Sequence, residues 1–203
     1  MTLLHSDCLG VVLSGGLSSR MGTDKALLAR NHQDMLTFSQ QLLVNSGVEQ
    51  VVISGKQHGV ADKIAHLGPM GGIYTIIEKY RPKALLVLPV DLPLMTAEAL
   101  TQLKRVGELS QQVCYYQEHY LPFYLPITAF VEQFFQEKFA LCSMNNIGER
   151  KNTKNGPSIR SLISQVPSKS LTPKNSICLF NANTPDEWQH AKRSFSSIRN
   201  THV

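Results

Sequence analysis

Metal and redox ligands are sparse in this chain of 203 residues. Its four cysteines, Cys8, Cys114, Cys142 and Cys178, are far apart and form no C-x-x-C pair, so neither a zinc knuckle nor a dithiol motif is written in them. Reduced, mostly buried thiols are the expectation. The seven histidines show no H-E-x-x-H or comparable ligand spacing, so any metal is expected on carboxylate. No Ser-His-Asp or Cys-His set is visible. No apolar run reaches membrane-spanning length, and the N-terminus lacks the basic region of a signal peptide, its apolar run stopping at Gly15. A cytoplasmic protein without membrane contact is expected. The cationic excess is modest, 20 Lys and Arg against 15 Asp and Glu, or +5 overall. It permits anionic partners without choosing among them, and with no aromatic-basic motif nucleic acid is not among those expected. Internal repeats and low-complexity tracts are absent. Hydrophobic residues at 42% and charged residues at 17% exclude disordered and collagen-like classes. The length suits one domain, 1–203.

What is present is organised around Gly10 to Leu28, GVVLSGGLSSRMGTDKALL. Val11, Val12 and Leu13 read as a short strand, and Gly15-Gly16 ends it with residues that let a ligand approach the backbone closely. Successive backbone N–H groups in such a turn make an anion-binding concavity. Ser18, Ser19, Arg20 and Lys25 add hydroxyl donors and two positive charges. Neither familiar phosphate motif fits. A P-loop needs lysine directly after its last glycine, whereas Gly22 is followed by Thr23, Asp24 and only then Lys25. The dinucleotide G-x-G-x-x-G is also missing.

Met35, Phe38, Leu42 and Leu43 fall at helical spacing, Gly47 supplies a stop and QVVIS follows as a strand, which makes a right-handed β-α-β beginning. The segment 55–67 is polar and irregular and leads to GPMGGI, where Ile73, Ile76 and Ile77 begin a second amphipathic helix. ALLVLPVD, Ala84 to Asp91, stays apolar until it ends in a carboxylate, the pattern of a strand buried on both faces with a functional tip. A helix starts at Thr96, strands VCYY and LPFYLPI come next, and TAFVEQFFQEKFAL is helical by period. Residues 142–157, rich in Asn, Lys and Gly, are expected as a loop, SIRSLISQV as a short helix, and ICLFN as a last strand ending at Asn181. Thr184-Pro185-Asp186-Glu187 is a capping box with proline at the first helical position, and beyond Trp188 the basic chain is expected to fray. Strands alternating with helices predict a three-layer α/β/α, Rossmann-like fold on a mostly parallel sheet, with ligands at the carboxyl ends of the strands.

The string from Leu13 to Lys25 resembles the signature L-A-G-G-x-S-x-R-M-G-x-D-K of nucleotidyltransferases, in particular the molybdenum cofactor guanylyltransferases. It matches at Leu13, Gly15, Gly16, Ser18, Arg20, Met21, Gly22, Asp24 and Lys25, and Ser14 replaces the usual alanine. Asp91-Leu92-Pro93 is similar to the family's D-x-P, whose aspartate holds Mg²⁺ against the nucleotide phosphates, and a hard carboxylate suits that ion. GPMGGI, Gly68 to Ile73, resembles G-P-L-A-G-I, which lies against the nucleotide. Asp62, six residues before Gly68, corresponds to the family's aspartate seven before that glycine, and Ser54 stands where an asparagine is usual. FNANTPDEW resembles V-N-x-N-T-P-E-E-L, with Asn181 and Asn183 offering amides to the second substrate or the metal.

The resemblance implies transfer of GMP from GTP to the terminal phosphate of molybdenum-molybdopterin with release of pyrophosphate. Arg20, Lys25 and an Asp91-bound Mg²⁺ would neutralise charge. Leu13, Ser14, Gly15, Gly16, Ser54, Asp62, Gly68, Asn181 and Asn183 would line the ligands. Two rivals keep the fold: a cytidylyltransferase for the same cofactor, or a sugar-phosphate nucleotidyltransferase. Gly15 in Leu-Ser-Gly-Gly, in place of the alanine-rich equivalent of the cytidine enzymes, leans toward guanine. A third rival is a nucleotide-binding adaptor that has lost catalysis, against which Lys25 and Asp91 argue. Between Cys142 and Lys174 stand six cations, Arg150, Lys151, Lys154, Arg160, Lys169 and Lys174, against Glu149. Such a run is ordinarily a solvated face; its sharper reading is a patch for the pterin phosphate or for a partner protein concerned with molybdenum insertion or molybdoenzyme maturation.

Overall fold

A computed structural model describes residues 7–15, 24–64, 67–145 and 157–197. Strand β1 (Leu9–Leu13) lies between two parallel neighbours, β4 (Gln50–Ser54) and β5 (Ala84–Pro89). The register brings their ends level, since Leu13 is opposite both Ser54 and Pro89. A two-residue pair, β2 (Ala29–Arg30) with β3 (Gln33–Asp34), stands apart from this sheet. Antiparallel β7 (His119–Pro126) continues the sheet beside β5, followed by β6 (Val113–Tyr116) and, parallel to β6, β8 (Ser168–Leu171). The order is therefore β4-β1-β5-β7-β6-β8, with parallel pairs in the majority.

The period of two in the central strands sorts the core into two halves. Val12, Leu86 and Leu88 face one side, where α1 (Met35–Asn45), α3 (Ala97–Ser110) and α6 (Pro185–Ser197) pack with Phe38, Leu43, Leu100, Leu103 and Trp188. Val11, Leu85 and Val87 face the other, covered by α2 (Pro69–Tyr80), α4 (Ala129–Asn145) and α5 (Ile159–Gln165) through Ile73, Ile76, Phe135, Phe139 and Leu162. The three-layer α/β/α expectation holds, and β5 is buried on both faces as its unbroken apolar run requires. Helix starts follow local chemistry. The Asp34 carboxylate accepts the Thr37 N–H at 2.7 Å, and the Thr96 hydroxyl accepts that of Ala99 at 3.3 Å. Among the described residues no helix is long and apolar enough to cross a membrane. Cys8, Cys114 and Cys178 are buried thiols, and burial lifts the Cys8 pKa to about 12.

Three expectations are corrected. ICLFN is not a strand: Ser176–Leu179 form a 3₁₀ turn whose start is capped by the Asn175 side chain, and Cys178 and Leu179 enter the core from it. The strand in that region is β8, SKSL, a polar edge strand with no apolar alternation to reveal it. Nor does order end at Trp188. Helix α6 continues to Ser197 because Trp188, Ala191 and Phe195 keep one buried face beneath the basic residues. Part of the expected loop 142–157 is also helical, since α4 reaches Asn145; residues 146–156 lie outside the described chain.

Gly107 lets α3 pack closely on the sheet, because a Cβ there would run into the ring of Tyr124 on β7. Gly107→Ala is expected to destabilise the protein by about 1–3 kcal/mol through overpacking, outweighing a helix-propensity gain of about 1 kcal/mol. Urea denaturation of the two proteins measures the difference.

Candidate active site

The level ends of β4, β1 and β5 form a shelf. The Ser14 backbone N–H and hydroxyl both donate to the Ser54 carbonyl, at 2.9 and 3.0 Å, and the Val90 N–H donates to the Leu13 carbonyl at 3.1 Å. Leu13 and Ser54 are buried, and Gly15 is exposed at the rim. Ser14 takes its extra hydroxyl, relative to alanine, without strain because residue 55 is glycine: a Cβ there would strike Ser14 Oγ. Ser54 faces Gly72 in the first turn of α2 so closely that a Cβ on Gly72 would meet its hydroxyl. Ser54 therefore forms a wall of the shelf, packed against α2 where only glycine fits at position 72.

Asp91 follows β5, and three segments converge on it. Lys25 sits in a 3₁₀ turn, Lys25–Leu27, capped by the Asp24 side chain through the Ala26 N–H at 3.0 Å. Its ammonium lies 3.4 Å from Asp91 Oδ2 and 2.5 Å from Asn183 Oδ1. The Asp91 carbonyl accepts the Ala182 N–H at 3.0 Å, which seats the third segment. The Lys25 and Asp91 side chains are only 16% and 21% exposed, so their attraction is less screened than that of a surface pair. Asn183 is held in turn by Glu187, whose carboxylate accepts the Asn183 N–H at 2.7 Å and the Thr184 N–H at 2.9 Å. The Glu187 N–H returns to the Thr184 hydroxyl at 3.3 Å, completing the expected capping box.

Asp91 Oδ1 is buried and finds no hydrogen-bond partner among the described residues. An unpaired buried carboxylate oxygen is costly, and a divalent cation is the kind of partner that would satisfy it. Among the described residues no cluster of three or more His, Cys, Asp or Glu surrounds it. An ion here would therefore take further ligands from a bound substrate or water, as Mg²⁺ characteristically does.

Asp62 lies beside the first turn of α2, where a Cβ on Gly71 or Gly72 would come within 3.3 Å of its carboxylate oxygens. Asp62 is exposed, and the desolvation it meets beside α2 raises its pKa. Gly68 caps α2 at φ +57°, a conformation that glycine adopts without cost, and stands exposed with open space around it. The structure thus gathers Lys25, Asp91 and Asn183 into one contact set and places Ser14, Gly15, Ser54, Asp62 and Gly68 around the neighbouring shelf. Asn181 is exposed, in the irregular stretch before α6 instead of at a strand end. Gly16 and Arg20 lie outside the described residues.

Two supporting residues have no motif to announce them. Arg30 donates from Nε to the Pro93 carbonyl at 2.7 Å, with its guanidinium 3.5 Å from the ring centre of Phe38 and 5.1 Å from that of Phe195. It fixes the turn that follows Asp91, and burial lowers its pKa. His58 lies 2.6 Å from the second Asp24 oxygen.

The Leu13–Lys25 signature in the sequence and the Lys25–Asp91 pair at the carboxyl edge of such a sheet point to the class of nucleotidyltransferases. The chain belongs to the MobA-like NTP transferase domain family, whose profile matches residues 10–146. It is 34% identical over 186 residues to a molybdenum cofactor guanylyltransferase of Xanthomonas euvesicatoria, covering 88% of this chain and 91% of that one. Among solved structures, molybdopterin-guanine dinucleotide biosynthesis protein A of Archaeoglobus fulgidus superposes with a TM-score of 0.66 at 17% identity, over 93% of this chain and 99% of that one. A nucleotidyl transferase of Methanothermobacter reaches 0.67 at 13% identity, over 94% and 98%. At these identities the two structures speak for the fold.

The Asn183 N–H first, then the Thr184 hydroxyl and N–H and the Lys25 charge, hold the Glu187 pKa below its ordinary 4.5 against the opposing effect of desolvation. Because the folded value is depressed, this carboxylate stabilises the fold above pH 4.5 and loses that contribution as pH falls through the lower, folded value. The melting-temperature gap between wild type and Glu187→Ala is accordingly expected to be full at pH 7 and to narrow below pH 4.5, followed by circular dichroism.

Proposed function

We propose that this nucleotidyltransferase carries GMP from GTP to the terminal phosphate of molybdenum-molybdopterin and releases pyrophosphate. The observation that carries the reading is the Lys25–Asp91–Asn183 contact set with its orphaned carboxylate oxygen, in a chain 34% identical to a molybdenum cofactor guanylyltransferase. The attacking group is a phosphate monoester with a second pKa of about 6, largely dianionic at neutral pH, so no general base is needed. This accords with a contact set that offers one ammonium, one carboxylate and one amide. Catalysis then rests on positioning and charge neutralisation around the α-phosphate. Lys25, steered by Asn183 and Asp91, presents an ammonium to the triphosphate, and Arg20 joins it on the strength of the sequence resemblance.

Mg²⁺ fits the donor set, with Asp91 as its protein ligand, and when bound it would offset charge on the departing pyrophosphate. Asp91→Asn is expected to abolish Mg²⁺-dependent turnover while GTP binding, carried by the loop and Lys25, falls by less than about tenfold. Pyrophosphate release and calorimetry separate the two. Full turnover of that variant at low Mg²⁺ would place the ion elsewhere.

Asp62 supports the choice of guanine. An exposed carboxylate beside the first turn of α2 is open to a ligand with two adjacent N–H donors, and guanine offers N1–H and its N2 amino group where cytosine and adenine do not. Titrating the protein with the four nucleoside triphosphates and Mg²⁺ is expected to show GTP binding at least about a hundredfold more tightly than CTP or ATP. Tighter CTP binding would make it a cytidylyltransferase, and no nucleotide binding would favour the adaptor. The pterin site, and any maturation partner, would be read by the exposed cations; of these, Lys174 is already paired with Glu98 at 3.0 Å, whereas Lys169 stands exposed on β8.

A further inference from the structure

Asp24 joins two loops that the motifs treat separately. One carboxylate oxygen caps the turn that carries Lys25, through the Ala26 N–H; the other meets His58 Nε2 at 2.6 Å. Both side chains are mostly out of solvent, 19% exposed for His58 and 27% for Asp24. Partial desolvation would by itself raise the Asp24 pKa, yet the His58 and Ala26 hydrogen bonds outweigh it and the carboxyl stays below its ordinary range. It is the ionised acid that the two donors hold.

His58 stands on a turn that is itself closed. The Gly55 N–H donates to the Val60 carbonyl, the Gly59 N–H to that of Gly55 and the Val60 N–H to that of Ile53, all within 2.9 Å. Gly59 lies so near the Ile53 carbonyl that no side chain fits at that position. This turn grows directly from the end of β4, which Ser14 ties to β1. An imidazole on such a base is a fixed post. The lysine stem, by contrast, has four rotatable carbons, and its ammonium is useful only where its backbone is held.

We propose that His58 is a positioning residue of the nucleotide site, acting through Asp24 on the turn that presents Lys25 to the phosphates. It fixes the turn against the sheet through the second Asp24 oxygen. The proposal rests on the reading of Lys25 as a triphosphate ligand.

The test combines His58→Ala and His58→Gln with Lys25→Ala, measuring Mg-GTP binding by calorimetry and melting temperature for each protein. His58→Ala is expected to weaken GTP binding by about 3- to 10-fold with an unchanged melting temperature, and His58→Gln, which keeps a side-chain donor, to stay within about twofold of wild type. In the Lys25→Ala background the same His58→Ala change is expected to move affinity by less than about twofold, since a residue acting through Lys25 has nothing left to position. Unchanged affinity in His58→Ala, or an equal loss in both backgrounds, overturns the proposal while leaving the guanylyltransferase reading intact. A wild-type protein that binds no nucleoside triphosphate overturns both.

Discussion

The Lys25 ammonium, held between the Asp91 carboxylate and the Asn183 amide, ties together parts of the chain that are far apart in sequence. Asp91 is 66 residues away and Asn183 is 158. Such a contact exists only if the strand ends are level, and the register that sets Leu13 against both Ser54 and Pro89 makes them so. The β1–β4–β5 trio is specified in turn by residues buried on both faces, where a slip of one position would exchange one side of the core for the other. Core patterning and the site are therefore one constraint. Burial strengthens the ion pair, and the same low exposure makes the unpaired Asp91 Oδ1 costly. Unsatisfied buried groups in otherwise well-formed folds tend to mark sites where a ligand completes the set.

Most of this frame is legible in the sequence because periodicity and capping are local signals. Ala84 to Pro89 reads as a doubly buried strand, and Thr96 and Thr184 announce helices by their own side chains. Where the sequence misleads, a tertiary effect decides. Ile177 to Phe180 has the composition of a strand, but the Asn175 cap turns it into a 3₁₀ segment that places Cys178 and Leu179 in the core. Strand β8 carries no apolar signal because an edge strand of the sequence SKSL buries little, and its pairing with β6 rests on backbone hydrogen bonds. The far half of α6 hides an apolar stripe, Trp188, Ala191 and Phe195, among basic residues that dominate the composition.

The site divides the same way. Lys25 and Asp91 sit in the dense motifs of the first half and Asn183 in a sparser one near the end, and the fold brings the three side chains into contact. His58 and Arg30 sit in none, because what defines them is a contact across 34 residues in one case and across 63 in the other. A single sequence carries no trace of such pairs unless a motif happens to include both partners. Leu13 and Ser54 show the converse: motif positions whose side chains the fold uses for packing, leaving their carbonyls to hold the neighbouring segments at the shelf.

Arg30 and Lys25 lie within one short segment, and their contrast shows how the fold allocates positive charge. Arg30 is sandwiched between Phe38 and Phe195 with its Nε–H spent on the Pro93 carbonyl, and a planar, weakly hydrated guanidinium suits that stacked place. A lysine there would lose the stacking and the fixed donor geometry, and the turn after Asp91 would loosen. Lys25 has the opposite task. Its ammonium has three donors and no preferred plane, and the described contacts engage it with a carboxylate oxygen at 3.4 Å and an amide oxygen. The rigid cation thus supports the turn after Asp91 from behind while the adaptable one rests between two oxygen acceptors, and each residue type is used where its chemistry, not merely its charge, is required.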